Sequence, residues 1–196
     1  MVFDDWKKPS EEVVKHFTNV FEIANHRSEM ELKRLFDQEP TEENIGKRVN
    51  RLSAIYGTRI SLPDQKLIAS FIFKEGIFED AVAGKDGVVE KIAVNENYGY
   101  NHCLSFASKF CSFCNPEVYP IYDSVVLEVL RRLNSDYHFD AAYDKAEMKR
   151  IRNNLSYARF CKLIDNFRNH VDFHLENCKL REIDKYLWTS GKGLVD

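Results

Sequence analysis

Apolar residues recur along this chain at three- and four-residue intervals, the spacing that places them on one side of a helix. Val13, Val14, Phe17, Val20, Phe21 and Ile23 form the first such stripe, behind Ser10 as an N-cap and Glu11-Glu12 in the first turn. Met30, Leu32 and Leu35-Phe36 predict a second helix that stops before Pro40. Thr41-Glu42-Glu43 caps a third, with Ile45, Val49, Leu52 and Ile55-Tyr56 on one face and Gly57 as its stop. Pro63-Asp64 opens a fourth that carries Leu67, Ile68, Phe71, Ile72 and Phe73 and ends at Gly76. Shorter pieces follow around 77–83 and 87–94.

Asn101 to Phe113 is apolar almost all round and predicts a central, buried helix, which Asn115-Pro116 breaks. Asp123 or Ser124 opens another, with Val125, Val126, Val129, Leu130 and Leu133 facing inward. Beyond a loop near 134–143 the pattern predicts helices over 144–152 and 154–171, then a last one from Glu182 to Ser190, before Gly191. The run Val118–Tyr122 is the rival strand candidate, and Pro120 inside it argues against a ladder. The expected fold is therefore all-α, a multi-helix bundle of about eight to ten helices. It reads as a single domain over residues 1–196, divisible at most into 1–95 and 96–196.

Composition changes this picture little. With 44% hydrophobic and 30% charged residues, the 196-residue chain is of ordinary globular type. The aromatic share of 13% leaves rings over for a groove or a stacking pocket. The chain shows neither a signal-like start nor an uncharged apolar run of membrane-spanning length, so no membrane partner is expected. Five cysteines, an odd number without an export signal, predict reduced thiols and a cytoplasmic location. A net charge of −3 excludes a surface that binds polyanions everywhere. Residues 131–196 lean basic while 1–130 lean acidic, so a nucleic-acid face would be local and drawn from the C-terminal part. Its densest basic cluster is Lys149, Arg150 and Arg152.

The chemistry-bearing stretch runs from Asn101 to Val126, where two ionisable groups, Lys109 and Asp123, stand among apolar neighbours. Burial lowers the pKa of a lysine, and an amine kept neutral is a nucleophile suited to forming a Schiff base with a sugar carbon. A carboxylate fixed at a helix N-terminus can stabilise positive charge as an N-glycosidic bond breaks. The plainer roles are an N-cap for Asp123 and a lysine that reaches the surface from an apolar helix.

Tyr119-Pro120-Ile121-Tyr122-Asp123-Ser124-Val125-Val126-Leu127-Glu128-Val129-Leu130 resembles the element that carries the catalytic aspartate in the helix-hairpin-helix DNA glycosylases. Ala107-Ser108-Lys109 is similar to the start of the second hairpin helix in the 8-oxoguanine-type members, where a lysine is the nucleophile. The closing Ile183–Lys192 stretch is similar, less specifically, to the last core helix of such proteins. The resemblance implies a DNA-glycosylase-like fold, Lys109 as the Schiff-base lysine and Asp123 as the catalytic aspartate. It further implies DNA contacts at Gly99, Asn101, Ser108 and Ser124, beside those of the basic cluster. Tyr98, Tyr122 and Trp188 are the candidates for stacking on an extruded base. The chain departs from the family in two ways. It offers only Gly99 in place of a Gly-x-Gly hairpin turn, and its Lys-to-Asp interval is shorter by several residues.

No metal or cofactor is expected. Cys103, Cys111 and Cys114 lack the spacing of a cluster site and read as core thiols. His170, His174 and Cys178 would share one face only if their helix continued that far. Phosphate-loop, Gly-x-Ser-x-Gly and His-Glu-x-x-His motifs are missing. The expected activity is a glycosylase/lyase acting on a damaged base in DNA. The alternative is a non-catalytic module that binds nucleic acid or protein on the same fold.

Overall fold

A computed structural model describes residues 8–94, 103–143, 146 and 156–193. Among these, nine helices and no strand are present: α1 (Glu11–Phe36), α2 (Glu42–Tyr56), α3 (Leu62–Lys74), α4 (Ile77–Val82), α5 (Val88–Ala93), α6 (Leu104–Cys114), α7 (Ser124–Tyr137), α8 (Tyr157–Arg168) and α9 (Leu180–Lys192). The fold is all-α, as the periodicity predicts. Of the expected helix over 144–152 only Ala146, which is helical, is among the described residues. No described helix is long and apolar enough to cross a membrane.

Local chemistry sets most of the boundaries. Ser10 caps α1 by accepting from the Val13 N–H, Thr41 caps α2 through Asn44, and Ser61 caps α3 through Asp64. Gly57 ends α2 in the left-handed conformation that a residue without Cβ adopts freely. One expected boundary is absent. The first two predicted helices are a single α1 of 26 residues, because nothing between Ile23 and Met30 breaks a helix. Arg48, fully buried, fastens its C-terminal end. The guanidinium donates to the carbonyls of Leu35 (2.9 Å), Phe36 (3.5 Å), Gln38 and Glu39 (3.4 Å) and lies 4.2 Å from the centroid of the Phe78 ring.

Helix α6 is the buried centre, packed against α1, α2, α4 and α5. Helix α9 lies between α1 and α7. It does not stop before Gly191; that glycine sits inside it, and Gly193 is the left-handed cap. A Cβ on Gly191 would fall 2.3 Å from Val125 Cγ1 and 2.8 Å from Val129 Cγ2, so its missing side chain lets α9 approach α7. The loop after α7 is locked by Asn134, whose side chain donates to the carbonyls of Asp140 (2.8 Å) and Tyr143 (2.7 Å). Asp140 in turn accepts two bonds from Arg159 on α8. One continuous apolar cluster runs from Val14 to Leu187 and includes residues from every helix.

Candidate active site

Three pieces of chain converge on Lys109. It sits midway along α6, on the face turned toward the segment that leads into α7. That segment is non-helical, and Tyr122 is fixed there by its N–H, which donates to the buried Ser108 hydroxyl at 3.0 Å. The next residue, Asp123, is the N-cap of α7: one carboxylate oxygen accepts from the Val125 N–H at 2.8 Å. The other oxygen accepts from the Lys109 ammonium at 3.3 Å. The amine also donates to the Ser105 hydroxyl at 2.6 Å, one helical turn back, and lies 5.3 Å from the centroid of the Tyr56 ring. The Lys109 side chain is 5% exposed and that of Asp123 19%. The pair is thus nearly closed, with its carboxylate on the outer side.

A second set of charges, which the sequence reading did not single out, stands behind this pair. Arg181 on α9 donates to Asp184 (3.0 Å), to both oxygens of Glu29 on α1 (2.9 and 3.0 Å) and to the Tyr56 hydroxyl on α2 (3.3 Å). Tyr56 donates to Glu29 at 3.1 Å, and the guanidinium lies 5.0 Å from the centre of the Phe113 ring. Lys185, one turn along α9, reaches Glu22 at 2.8 Å and approaches Glu29 at 4.0 Å. The signal in the sequence was the i, i+3, i+4 spacing of Arg181, Asp184 and Lys185, on a helix that also carries Glu182 and Lys192. Glu29 and Tyr56 carried no comparable signal.

The electrostatics follow from burial. Desolvation pushes the Lys109 amine below the ordinary lysine value, against the pull of Asp123 and Asp184, and the nearby Arg181 adds to the lowering. Desolvation raises Asp184 to about 6, against Arg181 and Lys109, which favour its ionised form. Burial opposes the charge on Arg181, yet Tyr56, Glu29 and Asp184 more than offset it and keep the guanidinium protonated. The Tyr56 hydroxyl is held neutral, chiefly by burial.

The remaining expected site residues are dispersed. Tyr98, Gly99, Asn101, Lys149, Arg150 and Arg152 lie outside the described residues. Ser108 is fully buried and its hydroxyl is engaged inside the protein, donating to the Ser105 carbonyl at 3.2 Å, so it presents no group to a phosphate. Ser124 is exposed beside Asp123, within reach of a ligand there. Tyr122 is 8% exposed and packs edge-on against Phe160, which leaves its ring as a wall and not as a free stacking surface. Trp188 is on α9 against Phe21 of α1, with the Lys192 ammonium 5.5 Å from its ring. It belongs to the α1–α9 contact and not to the pair. A surface pocket of about 660 Å³ opens beside α1 and α2, lined in part by His26, Arg27, Arg34 and Arg51; neither Lys109 nor Asp123 borders it.

The helical premise for His170, His174 and Cys178 fails, because α8 ends at Arg168 and His174 turns into the left-handed region at φ 53°. Among the described residues, no three His, Cys, Asp or Glu side chains are grouped to hold a metal ion. The five thiols are unpaired, and Cys103 and Cys111 are buried, as core thiols should be.

Residues 10–118 match a family of N-terminal domains, HI_0787_N. The chain belongs to this family. It is also 37% identical, over 101 residues, to an uncharacterized protein of Haemophilus influenzae; the match takes in 52% of this chain and 41% of that protein. The chain therefore spans less than half the length of this relative. No solved structure matches. The family match includes Glu29, Tyr56, Ser105 and Lys109 and ends before Asp123, Arg181 and Asp184.

Proposed function

We propose that the protein is a DNA glycosylase/lyase of the helix-hairpin-helix kind, with Lys109 as nucleophile and Asp123 as the charge-stabilising carboxylate. One observation carries this reading: a buried lysine amine, its pKa depressed by desolvation, sits 3.3 Å from a carboxylate anchored at a helix N-terminus. DNA would supply the base by extrusion from the duplex, since the sugar carbon is out of reach within a stacked helix. The Lys109 lone pair forms a bond to C1′ as the N-glycosidic bond breaks. The base departs with that bond's electron pair and takes up a proton. Asp123 stabilises the positive charge that develops on the sugar. It then receives one proton from the new C1′-bound nitrogen and returns it to the ring oxygen as the sugar opens, leaving a protonated Schiff base on Lys109. A cytoplasmic location fits the five free thiols.

A second reading has its own support. Asp123 already serves as the cap of α7, and the Lys109 side chain is only 5% exposed, so the same pair can act as a brace in a non-catalytic module that binds nucleic acid or protein. Borohydride trapping separates the two. Duplexes carrying 8-oxoguanine, uracil or an abasic site are incubated with the wild type and with Lys109→Gln. A covalent adduct formed by the wild type and lost in the variant is the expected result. An absence of adduct on every duplex, from a folded wild type, would transfer the assignment to the binding module.

A further inference from the structure

The charges around Lys109 do not balance pairwise. Glu29, Asp123 and Asp184 supply three carboxylates, while Lys109 and Arg181 supply two cations, and Lys185 at the rim is already paired with Glu22. Every partner of Arg181 is a group that shares this space: Asp184 on its own helix, Glu29 from α1 and the Tyr56 hydroxyl from α2. The ring of that same tyrosine lies under the Lys109 amine. Arg181 therefore ties Asp184 to the wall on which the nucleophile rests.

We propose that Asp184, oriented by Arg181, is a positioning residue that sets how tightly Lys109 holds its proton. The inference rests on the proposed role of Lys109 and adds a second carboxylate to its environment. Asp123 is engaged on both oxygens, holding the α7 backbone with one and meeting the amine directly with the other. Asp184 accepts from Arg181 and stabilises no helix end. Its charge can come and go while the architecture stays. When Asp184 is ionised, its field favours the ammonium form of Lys109; when it is neutral, the amine is released more easily, and Arg181 acts in the same direction. The groups that face Asp184 from each packed element are Glu29 on α1, Tyr56 on α2, Lys109 on α6, Asp123 at the start of α7, and Arg181 on α9 itself. The burial-driven rise of Asp184 to about 6 places its titration near neutrality, where such control operates.

The test follows the lysine directly. In the full chain, labelled with ¹³Cε and ¹⁵Nζ lysine, the Lys109 resonance is titrated in wild type, Asp184→Asn, Asp184→Glu and Arg181→Gln. The wild type should show an inflection near pH 6 on Lys109 ahead of its own titration. Asp184→Asn should remove that inflection and lower the Lys109 midpoint by about one pH unit, the usual size of a nearby charge effect. Asp184→Glu should restore the inflection, and Arg181→Gln should raise the midpoint. Opposite movements in the last variant and the asparagine variant are not what a loss of packing produces. An unchanged Lys109 titration in Asp184→Asn would overturn the inference. Should that variant fail to fold, the wild-type curve decides, and a Lys109 resonance with no inflection near pH 6 overturns it equally. No substrate is involved, so a coupled titration without a borohydride adduct would remove the glycosylase and keep the coupling. An adduct with an uncoupled Lys109 would do the reverse.

Discussion

Gly191→Ala offers a test in which two physical effects of opposite sign compete. Glycine inside a helix is worse than alanine by about 1 kcal/mol, so at an open position the substitution stabilises. Gly191 lies within α9, but its new Cβ would stand 2.3 Å from Val125 Cγ1 and 2.8 Å from Val129 Cγ2. Carbon atoms in contact prefer roughly 3.5–4.0 Å, so the overlap with Val125 exceeds about 1 Å. Both obstacles are β-branched and on a helix, where a single χ1 rotamer is strongly preferred, so neither swings aside cheaply. Relief must come from moving α9 away from α7. Overpacking of this kind costs about 1–3 kcal/mol. With the propensity gain of about 1 kcal/mol subtracted, the net loss should lie between zero and about 2 kcal/mol. For a chain of this size that is a fall in Tm of up to roughly 8 °C.

The assay is equilibrium urea unfolding beside calorimetry, on wild type, Gly191→Ala, Val125→Ala and the double variant. Removing the Val125 methyls opens the space that the new Cβ needs, so the double variant should be more stable than the sum of the single changes by about 1 kcal/mol. A rise in stability for Gly191→Ala alone would refute the close α7–α9 approach. The consequence reaches the site, because α7 begins at Asp123 and α9 carries Arg181 and Asp184. Separating the two helices should also weaken the coupling expected on the Lys109 resonance.

Two further outcomes follow from buried charge. Arg48→Ala should cost about 3–5 kcal/mol by denaturant unfolding, since it empties a fully buried site and takes away the guanidinium donor to the Phe36 and Gln38 carbonyls at the end of α1. A loss under about 1 kcal/mol would mean that water or neighbouring groups replace the guanidinium. Asp184 has a folded-state pKa raised above its unfolded value, so the folded protein binds the extra proton between about pH 4 and 6 and loses stability as pH rises through that window. The stability of Asp184→Asn relative to wild type should therefore increase by up to about 3 kcal/mol from pH 4 to pH 7, and a pH-independent difference would contradict the raised value.

Much of the fold could be read from the chain because the determinants are local. Ser10, Thr41, Gly57 and Asp123 mark helix ends through side-chain and backbone chemistry that acts within a few residues. Where the reading differs from the structure, tertiary contact decides. Gly191 looks like a stop signal, and only the approach of α7 explains why a glycine is held inside α9. The histidines after α8 fit a helical face on paper, but that helix ends at Arg168. For the site, Lys109 and Asp123 stood out as charges in apolar surroundings, and they meet because a short connection leads from α6 into α7. Arg181, Asp184, Glu29 and Tyr56 were not singled out because their significance depends on one another. Glu29 is an ordinary surface-type residue of a long amphipathic helix until a guanidinium from a helix 152 residues further along the chain comes to lie beside it.

That mutual dependence also bears on why the network is there. Ions removed from water lose several kcal/mol of hydration each, and their attraction to one another often does no more than recover it. An apolar set at Glu29, Arg181 and Asp184 would hold α1 and α9 together at least as well, as Phe17 with Tyr186 and Phe21 with Trp188 do along the same contact. Stability alone therefore gives no reason to gather three carboxylates and a guanidinium around an amine that is itself buried. The arrangement has the opposite economy to that of Arg48, whose single charge is spent on carbonyl groups that need a donor. Among Glu29, Asp123, Asp184, Lys109 and Arg181 the carboxylates outnumber the cations by one, and the excess is placed beside a group able to lose a proton. A structural brace needs a fixed charge balance, whereas a nucleophile needs one that can shift. The surplus carboxylate at Asp184 is the feature that favours the second.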